Sequence, residues 1–228
     1  MENNNLDILK SINLSEYQGV LLDVDDTLYD YKNTHKIAIK KVFTENASGL
    51  ERMGFVSCEQ FISEYTAARS LVKKMHPSNG LTRSRYLAFI ELFKSREKSL
   101  PIYELALDFE EMYWSFFIDS ILNVDSRWTD FLTDCASSKV KVCIVSDMQT
   151  RFQVQKLKKL KLASYIPLMV TSEDANHEKP DAHIFSLAIN LLNLSPERII
   201  MLGDNFEKDI RGAQALGCQA LRVGYNLD

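Results

Sequence analysis

Val20-Leu21-Leu22-Asp23-Val24-Asp25-Asp26-Thr27 is the stretch that decides how this chain is read. The apolar run Val20-Leu21-Leu22 reads as a buried strand, and the carboxylates fall where that strand should end. Side chains alternate along an extended backbone, so Asp23 and Asp25 are predicted to point one way and Val24 the other. Two carboxylates on one face of a strand end suit a nucleophile beside a proton donor, with a cation to hold them together.

Working outward, strand-like runs recur at Val140-Lys141-Val142-Cys143-Ile144-Val145, Leu168-Met169-Val170-Thr171, Arg198-Ile199-Ile200-Met201-Leu202 and Gln219-Ala220-Leu221-Arg222-Val223. Helical patterns lie between them. Val154, Leu157 and Leu160 form an apolar stripe amid lysines, and Phe185, Ala188, Ile189 and Leu192 repeat at helical spacing. The segment from Asp209 to Leu216 also reads as a helix, with Gly217 as its C-cap. Short apolar strands alternating with helices predict an α/β fold, a parallel sheet covered on both faces, with the site at the strand ends.

One interval breaks the rhythm. Between Tyr31 and Leu122 the patterns are helical, with no convincing strand. Ala38, Val42 and Phe43 mark one apolar face, and Phe61, Tyr65, Ala68 and Val72 a second. Leu87, Ile90, Leu92 and Phe93 suggest a third helix, and a fourth runs from about Ile102 to Ile121. Pro77-Ser78-Asn79-Gly80 and Ser99-Leu100-Pro101 supply turns. That is too much helix for one crossover. Residues 31–122 are therefore expected to form an inserted helical domain, with residues 1–30 and 123–228 forming the core. The aromatic group Tyr113, Trp114, Phe116 and Phe117 is read as packing within the bundle. Lys156, Lys158, Lys159 and Lys161 are read as a solvated helix face.

Composition bounds the rest. The chain has 228 residues, a formal charge of −4, 46% hydrophobic and 25% charged residues, as expected of a soluble globular protein. The mildly acidic balance argues against nucleic acid as a partner. The four cysteines, Cys58, Cys135, Cys143 and Cys218, form no C-x-x-C pair or zinc spacing. Cys143 lies inside a strand pattern, so a buried free thiol and a reducing compartment are expected. Without a signal-peptide pattern or an apolar run approaching ~18 residues, the expectation is a cytoplasmic protein with no membrane partner.

Three further places fall where strands should end. Ser146-Asp147 follows the second strand, Lys179-Pro180 lies in the loop after the third, and Gly203-Asp204 follows the fourth, with Asp209 five residues on. Each alone is ordinary, since aspartate and glycine are common after strands and serine caps helices. Their joint appearance at one sheet edge points to a site. Asp23, Asp25, Asp204 and Asp209 repel if clustered, and a hard divalent cation offsets that repulsion; all-oxygen donors fit magnesium better than zinc. A lysine adds a point charge for a nucleophile and an anionic substrate group, and Ser146 with backbone N–H groups suits an oxyanion. The set suits a phosphoryl group.

Asp23-Val24-Asp25-Asp26-Thr27-Leu28, Ser146, Lys179-Pro180 and Gly203-Asp204-Asn205-Phe206-Glu207-Lys208-Asp209 resemble, in order, the four motifs of the haloacid dehalogenase-like hydrolase superfamily. Ile210-Arg211-Gly212-Ala213-Gln214-Ala215-Leu216-Gly217 fits the same branch, in which a helical cap follows the first strand. The resemblance covers almost the whole chain. It implies a Rossmann-like core with a C1-type cap that closes over the sheet edge.

In phosphatases of that family the residue matching Asp23 attacks phosphorus and forms an aspartyl-phosphate. The residue matching Asp25 protonates the leaving oxygen and then takes a proton from water. The resemblance further implies Mg2+ held by Asp23, the backbone carbonyl of Asp25, and Asp204, with Asp209 acting through water or by orienting the lysine. Lys179 would counter charge on Asp23 and the phosphoryl oxygens, which Ser146 and the backbone near Asp26, Thr27 and Asp147 would receive. Asp25 favours phosphate-ester hydrolysis over dehalogenation, since a halide leaves without an acid. The same motifs also admit a phosphomutase or a non-catalytic phosphometabolite-binding protein.

Asp147 departs from the branch, which has Asn or Gly there; its backbone is expected at the pocket, and its side chain is left open. From the cap, the loop His76 to Arg85 offers His76, Asn79, Arg83 and Arg85, with Arg83 the preferred substrate contact and Arg85 next. His35, Lys36 and Tyr29 are candidates for the entrance. The layout is similar to members that act on sugar phosphates, nucleoside monophosphates and N-acylneuraminate 9-phosphate. A small phosphorylated metabolite is the expected partner, and a monomer or homodimer the expected assembly.

Overall fold

A computed structural model describes residues 4–78, 80–94, 96 and 101–227. Five strands form one parallel sheet: β1 (Gly19–Leu22), β2 (Lys141–Ser146), β3 (Leu168–Thr171), β4 (Ile199–Gly203) and β5 (Gln219–Arg222), in the order β3-β2-β1-β4-β5. β1 is buried along its whole length because helices cover both faces of a parallel sheet. Its last residue, Leu22, lies beside Ile144 of β2 and Leu202 of β4. The chain runs from β1 to β2 and β3 on one side, then crosses to β4 and β5 on the other. Such a sheet opens a crevice beyond the C-terminal end of β1, where Asp23 begins.

The chain divides into two compact units, Met1–Tyr31 with Ile121–Asp228, and Lys32–Ser120. The helical stretch between β1 and β2 holds α1 (Tyr31–Glu45), α2 (Ala47–Arg52), α3 (Cys58–Met75), α4 (Arg85–Lys94) and α5 (Ile102–Ser120). Ser57 caps α3 by accepting the Gln60 N–H, and the helix buries Phe61, Tyr65, Ala68 and Val72 in the spacing read from sequence. Tyr65 packs on Phe89 with ring centres 4.8 Å apart, and Phe93 meets Phe109 edge-on at 4.9 Å. Tyr113, Trp114 and Phe117 are buried in the same group and pack within the bundle as read, whereas Phe116 is half-buried and Tyr103 of the same helix is exposed. Of the expected turns, Asn79, Ser99 and Leu100 lie outside the described residues.

Beyond the helical unit come α6 (Ser126–Ser137), α7 (Thr150–Lys159), α8 (Ser172–Ala175), α9 (Ala182–Leu192) and α10 (Gly212–Gln214). α6 starts at the Asp125 cap and sends Trp128 inward, where its indole N–H donates to the Thr27 carbonyl at 3.2 Å. α9 buries Phe185, Ala188 and Leu192 in the core shared with β2, β3 and β4. The helix expected from Asp209 to Leu216 is built differently. A π-type turn over Phe206–Arg211 leads into α10, and Gly217 closes it at φ +90, a conformation that favours glycine.

α7 corrects two expectations. Val154, placed on the apolar stripe, is 44% exposed, and Lys156, placed on the solvated face, is fully buried. The inward face is Phe152, Gln153, Lys156, Leu157 and Leu160, a run of i, i+3 and i+4 steps that includes two polar side chains. Lys158, Lys159 and Lys161 are exposed as expected. Cys135, Cys143 and Cys218 are buried, and all four cysteines are unpaired. Among the described residues no helix is long and apolar enough to cross a membrane.

Candidate active site

Asp23 is the first residue past β1, and its N–H still donates to Leu202 O at 3.0 Å, so the sheet fixes its backbone. Its side chain is nearly buried. Lys179 Nζ donates to Oδ1 at 2.7 Å and Thr27 Oγ1 to Oδ2 at 2.9 Å. The Thr27 hydroxyl also accepts the Asp204 N–H at 3.1 Å, which ties the loop after β4 to the one after β1. Thr27, expected among the phosphoryl-binding residues, thus has its buried hydroxyl engaged between Asp23 and Asp204.

Lys179 is buried and satisfied. Its ammonium reaches Asp23 Oδ1, Asp209 Oδ1 at 2.6 Å and Val145 O at 2.9 Å, three acceptors for three protons. Burial disfavours its charge, but Asp209 and Asp23 outweigh that and raise its pKa, so the cation is secure. Asp209 is held at both oxygens, since Oδ2 accepts the Asn205 N–H at 3.0 Å. This packing needs Gly203: a Cβ there would lie 2.5 Å from Asp209 Cγ.

One ammonium does not balance the acids around it. Asp23, Asp204 and Asp209 each bring a carboxylate oxygen within 4.8 Å of the others. Burial, with the charges of Asp209 and Asp204, raises the Asp23 pKa against the pull of Lys179. Burial, with Asp209 and Asp26, pushes Asp204 up to about 7. A largely buried group of hard oxygen donors short of positive charge fits a hard divalent cation.

Asp25 faces other partners. Lys156 Nζ donates to both its oxygens, at 2.7 and 2.9 Å, Tyr29 Oη to Oδ1 at 2.5 Å and Gln153 Nε2 to Oδ2 at 3.3 Å. Burial alone would raise its pKa; the Lys156 charge and the hydrogen bonds of Lys156, Tyr29 and Gln153 overcome that and lower it. Gln153 Nε2 also donates to Ser146 Oγ at 2.5 Å. The Ser146 oxygen therefore accepts from the inward face of α7. Tyr29, expected at the entrance, is a buried partner of Asp25.

Sequence reasoning misses Gln153 and Lys156. The available signal is a polar pair spaced i, i+3 between Phe152 and Leu157 on the inward face of the helix that follows Ser146.

Asp147 has a definite place. Oδ1 accepts the Lys179 N–H at 2.7 Å, and Oδ2 takes the Lys208 ammonium at 2.5 Å, which also reaches Glu178 at 3.3 Å. Its side chain pins the Lys179 loop to the turn after β4. Asp26 adopts a left-handed backbone at φ 62; its carbonyl accepts the Tyr225 N–H, and its side chain accepts from Asn226 at 3.2 Å.

Arg83 and Arg85 belong to the helical unit. Arg85 is buried at the start of α4, its guanidinium 5.6 Å from the Tyr113 ring centre and 5.9 Å from that of Trp114. His35 lies within 3.0 Å of Arg69 and 2.9 Å of the Tyr113 hydroxyl; burial, Arg69 and Arg85 lower its pKa to about 2, so it is neutral. A groove of about 260 Å³ between α3 and α4 carries Glu64 and Glu91, the wrong charge for a phosphate.

A parallel sheet whose central strand is followed by two aspartates, with a buried lysine, a serine and two more aspartates beside them, defines an α/β protein with its candidate site at the sheet's C-terminal edge. The family described as haloacid dehalogenase-like hydrolase matches residues 17–217, and the chain belongs to that family. It is 31% identical over 208 residues to a ribulose-1,5-bisphosphate 5-phosphatase of Halopiger xanaduensis, covering 89% of this chain and 83% of the relative. It is 26% identical to a glyceraldehyde 3-phosphate phosphatase of Methanothermobacter thermautotrophicus, covering 92% and 87%. The fold is shared with a 2-haloacid dehalogenase of Pseudomonas syringae pv. Tomato, at a TM-score of 0.73 and 20% identity over 90% of this chain and 86% of that one.

Proposed function

We propose that the protein is a magnesium-dependent phosphomonoester hydrolase acting on a small phosphorylated metabolite, a sugar phosphate before other classes. The carrying observation is the division of labour between two carboxylates two residues apart. Asp23 sits among Lys179 and the other acids, and Asp25 sits on Lys156, Tyr29 and Gln153. The activities named for the two relatives, each on a phosphorylated sugar, support the substrate class.

In this reading an Asp23 oxygen forms a bond to phosphorus as the bond from phosphorus to the leaving oxygen breaks, giving an aspartyl-phosphate. Asp25 gives the leaving oxygen a proton. It then takes one from the water that attacks phosphorus and frees Asp23. Lys156 favours the ionised form of Asp25, which suits the second step; an arriving phosphate dianion favours proton uptake for the first. Ser146 offers its proton to a phosphoryl oxygen, and Lys179 orients Asp23 and favours its ionised form. Mg2+ held by Asp23, the Asp25 carbonyl and Asp204, with Asp209 behind them, would offset the carboxylate charge and polarise the phosphoryl group. Arg83 and Arg85 are the proposed contacts for the leaving group.

A panel of sugar phosphates and nucleoside monophosphates, assayed for orthophosphate with and without Mg2+, tests the proposal. Release that needs the metal supports it. Isomerised product with little orthophosphate indicates a phosphomutase, and binding without turnover of any compound indicates a phosphometabolite-binding protein; either result rejects it.

A further inference from the structure

We propose that Lys156 and Gln153 of α7 are positioning residues that hold the Asp25 carboxylate in place for proton transfer and link it to Ser146; this rests on the reading of Asp25 as the proton carrier. Burying an ammonium is costly unless its partner is close and well placed. Here the ammonium is fully buried and reaches both Asp25 oxygens at 2.7 and 2.9 Å, whereas Lys158 and Lys159 on the same helix stay in solvent. Leucine or methionine would pack against Phe152 and Leu157 at lower cost, so packing alone gives no reason for a lysine here.

The clamp is also fuller than an ion pair needs. Tyr29 Oη at 2.5 Å and Gln153 Nε2 at 3.3 Å add one contact to each Asp25 oxygen. Four donor contacts from three side chains leave the carboxylate one orientation. A proton carrier needs that, because transfer requires the oxygen within about 2.6–3.2 Å of its target. An unclamped Asp25 would rotate among several orientations and hold the productive one for part of the time. Gln153 extends the clamp to the 2.5 Å contact with Ser146 Oγ. One helix face thus sets the proton carrier and a phosphoryl-binding hydroxyl relative to each other.

The test separates positioning from general structural support by leaving-group dependence. A sugar alkoxide needs a proton to depart, and a nitrophenolate does not. Lys156→Met should lower kcat on a sugar phosphate by about 10²-fold, at the lower end of what proton transfer contributes, and change aspartyl-phosphate formation from p-nitrophenyl phosphate less than threefold. In an Asp25→Asn background the same substitution should cost less than twofold, because Lys156 acts through Asp25. Gln153→Leu should show the same pattern with a smaller loss, and serves if Lys156→Met does not fold. Equal loss on both substrates, or full additivity with Asp25→Asn, overturns the inference.

Crystal structures of Lys156→Met and Gln153→Leu supply a reading independent of turnover. Asp25 should leave its present orientation in at least the first variant, or in the second if only that one folds. An unmoved Asp25 overturns the inference even where the wild type hydrolyses phosphate esters. If the wild type hydrolyses none, the proposed function fails and these structures alone decide whether α7 sets the carboxylate.

Discussion

Asp23 and Asp25 leave the same strand two residues apart and enter opposite electrostatic regions. On the Asp23 side one ammonium serves three carboxylates, and burial with like charge raises the pKa values of Asp23 and Asp204. On the Asp25 side one carboxylate receives an ammonium, a phenol and an amide, and its pKa falls. The first region is short of positive charge and suits a cation and a phosphoryl group. The second is complete within the protein and suits a group that must stay oriented while protons come and go. The difference shows that sharing a strand end does not fix a carboxylate's environment; the partners delivered by other elements do.

The sharpest way to break the comparison is to remove one member. Asp23→Asn should abolish turnover by on the order of 10⁴-fold or more, as loss of a nucleophile does. It should leave the metal-free melting temperature unchanged or raised, because it relieves repulsion around Lys179. Calorimetry beside the orthophosphate assay checks both, and a large loss of stability would mean that Asp23 is held mainly for the fold. Lys179→Met goes the other way. It strips the acidic side of its buried ammonium and should destabilise the metal-free protein by about 3–5 kcal/mol, the usual effect of breaking a buried pair; chemical denaturation measures it.

A pH series sharpens the comparison. Asp204 is raised to about 7 in the folded protein from 3.8, so between those values the folded state binds more protons than the unfolded one. Stability from this group is full below 3.8 and is lost as pH rises through about 7. Asp25, whose pKa is lowered, contributes the reverse: its stability is present above 3.8 and is lost as pH falls through its folded value. Without metal, Asp204→Asn should flatten the decline towards neutral pH and Asp25→Asn should weaken the neutral side, while Mg2+ should remove the Asp204-linked decline in the wild type. Melting curves from about pH 4 to 8 decide it. The smallest effect is expected at Lys208, whose partly exposed bridge to Asp147 holds a loop that is also fixed by Lys179. Lys208→Met should cost about 1 kcal/mol or less, read by urea unfolding.

Much of this organisation is legible in the sequence, and the reason is periodicity. The strands ending at Leu22, Ser146, Thr171 and Gly203 are short apolar runs bounded by turn residues, and Asp23, Ser146 and Asp204 follow from where the runs stop. The inward face of α3 is legible for the same reason. Lys156 and Gln153 are hidden because a hydrophobicity pattern treats every lysine as outward-facing, and their partner Asp25 lies 131 and 128 residues away in the chain. The same rule misplaces Val154. The Asp147 side chain cannot be read locally because its partners, the Lys179 N–H and Lys208, are joined to it only by the fold. The π-type turn at Phe206–Arg211 carries Asp209 against Gly203, a close approach that local sequence does not display.

The most direct measurement is acid quenching of the enzyme during turnover of a sugar phosphate with Mg2+, followed by mass spectrometry of the peptide that contains residues 19–28. A phosphoryl group on Asp23, absent from Asp23→Asn and retained or accumulated in Asp25→Asn, is the predicted result. Turnover with no phosphoryl group on Asp23 under any quench, or an Asp23→Asn variant that still turns over, would contradict the account.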